Sequence, residues 1–371
     1  MDALRVFNAS STVKIIYLGN KPTVHDRRFL EAFRAWQWDV TAAFVGGEPI
    51  GVADVPPGIR LEHVGSTLGD TVRLVRHMIR RGDPDIVHAG PLHSAGYVAA
   101  LAGASHCLAA VSWGFDILVE ARSSPSARRA VLTALEASRL VVTDCETVTA
   151  AARELAAVPA ERFITIPWGT DPARFVPHDE RGERASSVLS VRSWEPMYRG
   201  DVLLEAFAIA LRSVPHLRLV YGGSGSQETE LLQLIRTLGI RKYVDTPGFL
   251  SANNLERAYR QADIYVSCAD QDGSSVSLLE AMASCLTCVV TDNPSNREWV
   301  TSGETGFLAE PRNPQSFANA IMHAAALTAL EREALGRRAR TRILERADWR
   351  RNLPRLKTAY EGMAAGSRLT C

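Results

Sequence analysis

Asp272-Gly273-Ser274-Ser275-Val276-Ser277-Leu278-Leu279-Glu280-Ala281-Met282 is the stretch from which the rest of the chain is read. It sets one carboxylate before a small, polar, Gly-led turn and a second inside what reads as the opening of an apolar helix. A glycine followed by small residues lets the backbone approach a ligand closely, and the first helical N–H groups are free to meet an anion. Asp272, before the turn, and Glu280, about two turns into the helix, then grip hydroxyl groups on either side of that anion. A ligand anionic in the middle and hydroxylated at both ends describes a nucleotide-sugar. Alone, the stretch also allows an ordinary loop-to-helix junction with a capping Asp.

The residues that follow narrow the choice. Cys288-Val289-Val290-Thr291-Asp292 is a short β-rich run, Asn296-Arg297-Glu298-Trp299-Val300 starts another segment, and Gly303-Glu304-Thr305-Gly306-Phe307-Leu308 makes a Gly-bounded turn. In order, spacing and residue type, residues 272–308 resemble the donor motif of the retaining glycosyltransferases of family 4. The resemblance implies an α/β chain of GT-B fold: two Rossmann-like βαβ domains facing across a cleft, with a C-terminal helix crossing back to the first domain. The sequence also departs from the family. The first acid is usually Glu and here is Asp272. The usual Cys-Gly-Leu-Pro after the helix reads Ser284-Cys285-Leu286-Thr287, without the helix-ending Gly or the strand-leading Pro.

Length and composition fit that expectation. A chain of 371 residues exceeds one ordinary core and suits two domains. Lys plus Arg (42) nearly balances Asp plus Glu (41), so no global field argues for nucleic acid. Six Cys suggest reduced thiols in a cytoplasmic protein rather than a disulfide framework. No apolar run is long enough to span a bilayer, and Met1 to Ser11 lacks the form of a signal peptide. The expectation is a soluble or peripheral protein, with oligomeric state left open.

Strand-like runs alternate with amphipathic stretches, the pattern of a parallel sheet covered on both faces. Val13 to Gly19, Val40 to Val45, Asp85 to His88, Leu108 to Ser112, Leu140 to Thr143 and Phe163 to Pro167 read as strands of a first series, with a helix at Phe29 to Trp36. Ser187 to Val191, Leu217 to Tyr221, Val244 to Thr246, Ile264 to Ser267, Cys288 to Thr291 and Gly306 to Ala309 read as a second. The polar stretch from Phe175 to Ser186 suits a linker. The expected division is an acceptor-binding domain over 1–175 and a donor-binding domain over 176–348. Residues 349–371 return to the first domain, Trp349 to Tyr360 resembling the family's last helix.

By resemblance, Glu280 binds the ribose hydroxyls and Asp272 sits near the transferred sugar. Gly273 and the amides of Ser274, Ser275 and Val276 then meet sugar hydroxyls or phosphate. Arg192 matches the Arg that contacts the diphosphate; where a partner Lys is usual the chain has Tyr198 or Arg199, and Arg199 is the candidate charge. Gly223, in Gly222-Gly223-Ser224-Gly225, matches a loop near the nucleotide, although such turns often serve packing alone. No bound metal or other cofactor is expected: N–H dipoles and cationic side chains meet the leaving diphosphate. The resemblance implies a front-side route in which the leaving phosphate takes the acceptor proton.

In the first half, Gly19-Asn20 ends a strand and His25 and Arg28 open the next helix, comparable to family turns that approach donor phosphate or acceptor. Pro84-Asp85-Ile86-Val87-His88-Ala89-Gly90 resembles a strand ending in His-x-His, with Gly90 for the second His. Ser112-Trp113-Gly114-Phe115-Asp116 stands where relatives carry His-Gly-x-Asp, whose His contacts the transferred sugar; Trp113 replaces it. Asp116 stays a catalytic candidate, and His88 or His93 is a stand-in imidazole or a structural strand-end His. Trp168-Gly169-Thr170-Asp171 corresponds to a family turn at the domain seam.

Arg73, Arg76, His77, Arg80 and Arg81, and Arg332, Arg337, Arg338, Arg340 and Arg342, form two basic clusters. Relatives use basic first-domain helices to reach lipid-linked acceptors at anionic membranes; a solvated helix face is the plainer reading. The leading expectation is a retaining transferase moving a sugar from a nucleoside diphosphate (UDP or GDP type) to a hydroxyl of a glycan or lipid-linked acceptor, in polysaccharide, lipopolysaccharide or glycoconjugate biosynthesis. A sugar-nucleotide epimerase of the same architecture and a catalytically silent nucleotide-sugar-binding protein are the alternatives. A nicotinamide dehydrogenase is disfavoured, because the Gly222 loop lacks the full dinucleotide fingerprint.

Overall fold

The computed structural model describes residues 12–46, 51, 54–65, 67–177 and 185–368. The chain forms two compact units. The first takes the chain up to Asp144, Val148–Ile166 and everything from Leu353 onward; the second takes Cys145–Thr147 and Pro167–Asn352. The chain thus changes unit at Ile166/Pro167 and again at Asn352/Leu353, whereas the sequence reading set the divisions after residues 175 and 348. Residues 178–184 of the expected linker, and 1–11, lie outside the described residues.

The first unit is a seven-stranded parallel sheet: β1 Lys14–Gly19, β2 Asp39–Phe44, β3 Arg60–Leu61, β4 Ile86–Ala89, β5 Leu108–Val111, β6 Leu140–Thr143 and β7 Phe163–Thr165, in the order β3-β2-β1-β4-β5-β6-β7. Its strands are near-continuous apolar runs because helices cover both faces. The helix Val24–Ala35 starts earlier than the apolar pattern suggests, since Thr23 and Asp26 form a capping box ahead of it. Two-residue β3 is too short to leave an alternating pattern, and was not foreseen.

The second unit is a six-stranded parallel sheet: β8 Ser187–Ser190, β9 Arg218–Tyr221, β10 Val244–Asp245, β11 Ile264–Ser267, β12 Thr287–Thr291 and β13 Phe307–Ala309, ordered β10-β9-β8-β11-β12-β13. In both sheets the order reverses once, between β1 and β4 and between β8 and β11. Ligands of open α/β sheets bind outside the carboxyl ends of the strands at such reversals.

The two missing family residues at 285 and 287 are replaced without loss of geometry. The helix Val276–Ala283 ends in a left-handed residue, Cys285, at φ 59°. Cys285 N–H donates to Met282 O and Leu286 N–H to Ala281 O, both at 3.0 Å, the paired closure usual with Gly. Thr287 opens β12 and donates its N–H to Asp263 O at 3.0 Å, a bond proline lacks.

The C-terminal helix runs Trp349–Arg368, past the expected Tyr360, with Pro354 near its start. From Leu353 on it belongs to the first unit, where Tyr360 is fully buried. The Tyr360 hydroxyl lies 2.8 Å from His88 Nδ1, and the His88 ring stacks on Tyr17 at 4.6 Å. His88 is therefore core, the structural alternative of the sequence reading. Among the described residues no helix is long and apolar enough to cross a membrane, and no disulfide joins the described cysteines.

Burial pushes the His88 imidazole down to about 3, while the unfolded chain carries one near about 6.5. A depressed folded value means the stabilisation is complete above about 6.5 and is lost as pH falls toward 3, at about 1.4 kcal/mol per unit. Urea denaturation from pH 7 to pH 5 is expected to show about 2 kcal/mol lost from this group. A His88→Gln protein, which keeps a partner for Tyr360, should show a shallower fall; equal slopes would place the dependence elsewhere.

Candidate functional site

The reversal in the second sheet brings together the chain leaving β8 and the chain leaving β11. Arg192, just past β8, is the centre. Its guanidinium donates to Asp272 Oδ2 at 2.5 Å, to Ser275 Oγ at 2.6 Å and to Ser277 Oγ at 2.8 Å. Its cationic carbon lies 4.3 Å from the centre of the Tyr198 ring. Burial works against the charge, yet the neighbouring Asp272 carboxylate overrides it and holds Arg192 protonated above the ordinary range. Arg192 Nε is buried with no hydrogen-bond partner among the described residues.

Ser275 occupies the N-cap position of the helix Val276–Ala283, but its hydroxyl makes no cap bond; it holds Arg192 instead. The first-turn N–H groups of Val276, Ser277 and Leu278 therefore lack a side-chain cap, the arrangement that receives an anion. Ser274 and Ser275 are buried at the turn, and Gly273 N–H is directed onto Asp272 Oδ1 at 3.0 Å. Glu280 is 7% exposed on the same helix. Burial, and then the Glu280 charge, push the Tyr259 hydroxyl well above its usual range, so Tyr259 remains a donor, here to Ser277 O at 2.9 Å. Tyr265, likewise pushed up to about 12 by burial, pairs with Ser277 Oγ at 2.7 Å. Ser277 and these tyrosines were not foreseen as site residues. Ser277 lies in the opening stretch itself, but only the fold shows that Tyr259 and Tyr265 converge on it.

Gly223 and Arg199 take different places from those expected. Gly223 N–H donates to Gly248 O at 2.8 Å and is not presented to a ligand. Its φ is 140°, and a Cβ there would press on the Arg192 carbonyl and stand 3.0 Å from the Trp194 ring. The loop packs against the chain leaving β8, with Ser226 N–H and hydroxyl both on the Glu195 carboxylate; the expected nucleotide contact is revised to a packing role. Arg199, in a left-handed conformation ahead of the helix Gly200–Ser213, donates to Asp201 at 2.6 Å.

In the first unit, Asp116 is fully buried. One of its oxygens accepts from Leu92 N–H at 2.8 Å and Trp113 N–H at 3.2 Å; the other accepts from the Ser112 hydroxyl at 2.6 Å and Ile117 N–H at 3.0 Å. Burial pushes its carboxyl above the usual range, against the pull of those donors. A carboxylate enclosed by donors ties the loops after β4 and β5 together, so the catalytic role expected for Asp116 is revised to a positioning one. Gly19 closes β1, and a Cβ there would lie 2.8 Å from Asp26 Oδ1 and 2.9 Å from the Phe44 ring. Its smallness serves that packing.

The other singled-out residues lie elsewhere. The turn Trp168–Asp171 packs on 347–350 of its own unit, through a bridge from Thr170 to Asp348 and an Asp171–Arg350 ion pair. Arg332, Arg338, Arg340 and Arg342, on the helix Ala329–Arg346, donate to backbone carbonyls of Leu327, Glu304, Phe175 and Trp299 respectively. These four brace the second unit, while Arg337 of the same cluster is exposed and pairs with Glu333. On the helix Leu68–Gly82, Arg73 pairs with Asp70 and Arg76 donates to Leu101 O. Among the described residues no group of three or more His, Cys, Asp or Glu is placed to hold a metal ion.

Comparison with known proteins agrees with this fold. Residues 178–342 match the family described as glycosyl transferases group 1, and residues 14–145 match glycosyl transferase 4-like. The sucrose-phosphate synthase of Thermosynechococcus elongatus superposes with a TM-score of 0.82 over 95% of this chain and 100% of that one, at 16% identity. The chain belongs to the GT-B glycosyltransferases. Anabaena HepE, solved with UDP-glucose, superposes at a TM-score of 0.78 over 94% of this chain and 99% of that one, at 19% identity. The D-inositol 3-phosphate glycosyltransferase of Geodermatophilus obscurus is 31% identical over 62% of this chain and 55% of that protein. Alignments with the first curated relatives span 31%, 32% and 55% of their lengths.

The packing role of Gly223 is open to a direct test. Gly223→Ala should lower stability by about 1–3 kcal/mol through overpacking at a positive φ, read as a lower urea midpoint. Gly69→Ala, where a Cβ meets nothing within 4 Å, should leave the midpoint unchanged or raised. Equal midpoints for the two variants would refute the close approach.

Proposed function

We propose that the chain is a retaining, metal-independent glycosyltransferase that takes a sugar from a nucleoside diphosphate, of UDP or GDP type, to a hydroxyl of a glycan or lipid-linked acceptor. The observation that carries the reading is the pairing of half-buried Arg192 with an uncapped helix N-terminus. Together they offer a cation and oriented N–H groups to one small anion. Glu280 on the same helix supplies a carboxylate for ribose hydroxyls, and Asp272 one for the sugar. That HepE has been solved with UDP-glucose and shares the fold adds support for a UDP-sugar.

The chemistry follows from where charge develops. The bond between the anomeric carbon and the phosphate oxygen breaks, and its electron pair passes to the diphosphate. Arg192 and the N–H groups of Val276 to Leu278 stabilise that charge as it forms, where fixed dipoles act more strongly than water. The acceptor oxygen bonds to the anomeric carbon on the face the phosphate leaves, and its proton passes to the departing phosphate oxygen. Configuration is retained and no protein nucleophile is needed, which leaves Asp272 as a sugar-binding carboxylate. The pathway proposed is polysaccharide, lipopolysaccharide or glycoconjugate biosynthesis in the cytoplasm.

Thermal-shift measurements with UDP, GDP, ADP and their common sugar conjugates test this reading. One nucleotide is expected to stabilise the protein saturably, by about 2.7 kcal/mol at a hundredfold excess over its Kd. Glu280→Gln and Arg192→Ala should each lose most of that gain. No stabilisation by any nucleotide, in folded protein, would contradict the donor site; stabilisation without transfer to any acceptor would favour the silent binding protein.

A further inference from the structure

The cation at the centre of the second unit's site is already answered by the protein itself. A guanidinium has five N–H donors. Arg192 spends Nη1 on the Ser275 and Ser277 hydroxyls and Nη2 on Asp272 Oδ2, and lays its face on the Tyr198 ring. The other arginine of this segment, Arg199, is taken by Asp201. Two guanidiniums thus stand with two carboxylates, and Glu280 on the adjoining helix adds a third. Together these groups leave no surplus positive charge for a diphosphate, which is itself strongly anionic.

The ion pair is built so that one member can let go. The Asp272 side chain is 18% exposed and that of Arg192 11%, so the carboxylate is the outer of the two. Asp272 lies on a turn outside any helix or strand, and its other oxygen accepts only from Gly273 N–H of the same turn, at 3.0 Å, among the bonds described. Rotating this short side chain breaks the ion pair and leaves the backbone in place. Arg192 is the firmly seated partner, held by two hydroxyls and a ring after the carboxylate has gone. An anion on Arg192 with Asp272 unmoved would set like charges side by side in a partly dry site, where they repel more strongly than in water.

We propose that Asp272 competes with the donor's diphosphate for Arg192, yields it when the diphosphate arrives, and turns to hydroxyls of the transferred sugar. The proposal rests on the donor-site reading and adds a regulation of it: one carboxylate is counter-ion first and sugar contact second. The consequence is selectivity for a loaded donor. A bare nucleoside diphosphate displaces Asp272 and gives it no new partner, whereas a nucleotide-sugar brings hydroxyls that donate to it. The spent nucleotide is therefore held less tightly than the charged one.

Isothermal titration calorimetry on the full chain tests this with wild type, Asp272→Asn and Asp272→Glu, using inorganic pyrophosphate, UDP and the common UDP-hexoses as probes. Asp272→Asn keeps an oxygen for the Arg192 bond and removes the charge; Asp272→Glu keeps the charge. Asp272→Asn is expected to bind pyrophosphate and UDP about threefold to thirtyfold more tightly than wild type, the span of one like charge removed from such a site. Asp272→Glu should remain close to wild type. The wild-type preference for a UDP-hexose over UDP should shrink in Asp272→Asn, because the sugar loses its carboxylate. Equal or weaker binding of pyrophosphate and UDP by Asp272→Asn would overturn the competition and leave the donor site standing. A wild type that holds no UDP-hexose better than UDP would overturn the turn toward the sugar. Pyrophosphate bound more tightly by Asp272→Asn in a chain that ignores UDP keeps the competition and sinks UDP as the nucleotide. No binding of any probe by the folded proteins sinks both readings. One measurement needs no variant: the Asp272 carboxyl-carbon NMR signal of the wild type should shift on saturation with pyrophosphate, and an unmoved signal in the bound protein would overturn the exchange.

Discussion

A guanidinium taken out of water has to be met on nearly every edge, and Arg192 organises the second unit around that demand. Asp272 answers its charge, Ser275 and Ser277 take its second nitrogen, and Tyr198 covers its face. Removing either partner would leave the other charge stranded with little water to meet it. The chain leaving β11 therefore has to return to the chain leaving β8, and that return aims the helix Val276–Ala283 at the sheet reversal. Drawing Ser275 to the cation also leaves the first turn of that helix without a side-chain cap. One ion pair thus shapes the loop and opens the anion site beside it.

Close approach is the second constraint, and the units meet it differently. In the second, Gly223 and Gly225 let a neighbouring loop lie on the backbone of Arg192 and Trp194. In the first, a buried carboxylate takes the place of a cation: Asp116 gathers donors from the chain after β4 and the chain after β5. Both devices fix strand ends, where small displacements would misplace a ligand.

The sequence carried the large features because they follow from period and order. Apolar runs alternating with helical stretches foretold two parallel sheets, residues 272–282 foretold a turn feeding a helix, and the family resemblance alone pointed to Arg192 beside it. Local substitutions were harder to judge. Cys285 and Thr287 looked like losses, yet a left-handed Cys closes the helix and Thr287 adds a ladder bond. Asp116 and Gly223 read as ligand residues, because a carboxylate or a glycine at a strand end looks the same whether it meets substrate or backbone. Only the donors around Asp116 and the carbonyl beside Gly223 decide between those uses. Three of the C-terminal arginines illustrate the same limit: the spacing suggested an exposed basic face, while the guanidiniums of Arg338, Arg340 and Arg342 reach carbonyls far away in sequence. Contacts between distant residues leave no periodic trace.

The central claim is that one anion is shared by Arg192 and the first turn of the helix Val276–Ala283. Backbone amide NMR of the full chain during titration with the nucleotide that binds it, UDP first, tests this at the atoms concerned. The amides of Val276, Ser277 and Leu278 should shift saturably with a common Kd, and the shifts should shrink in Arg192→Ala. Unmoved amides at all three positions, under conditions where calorimetry shows the nucleotide bound, would contradict the account.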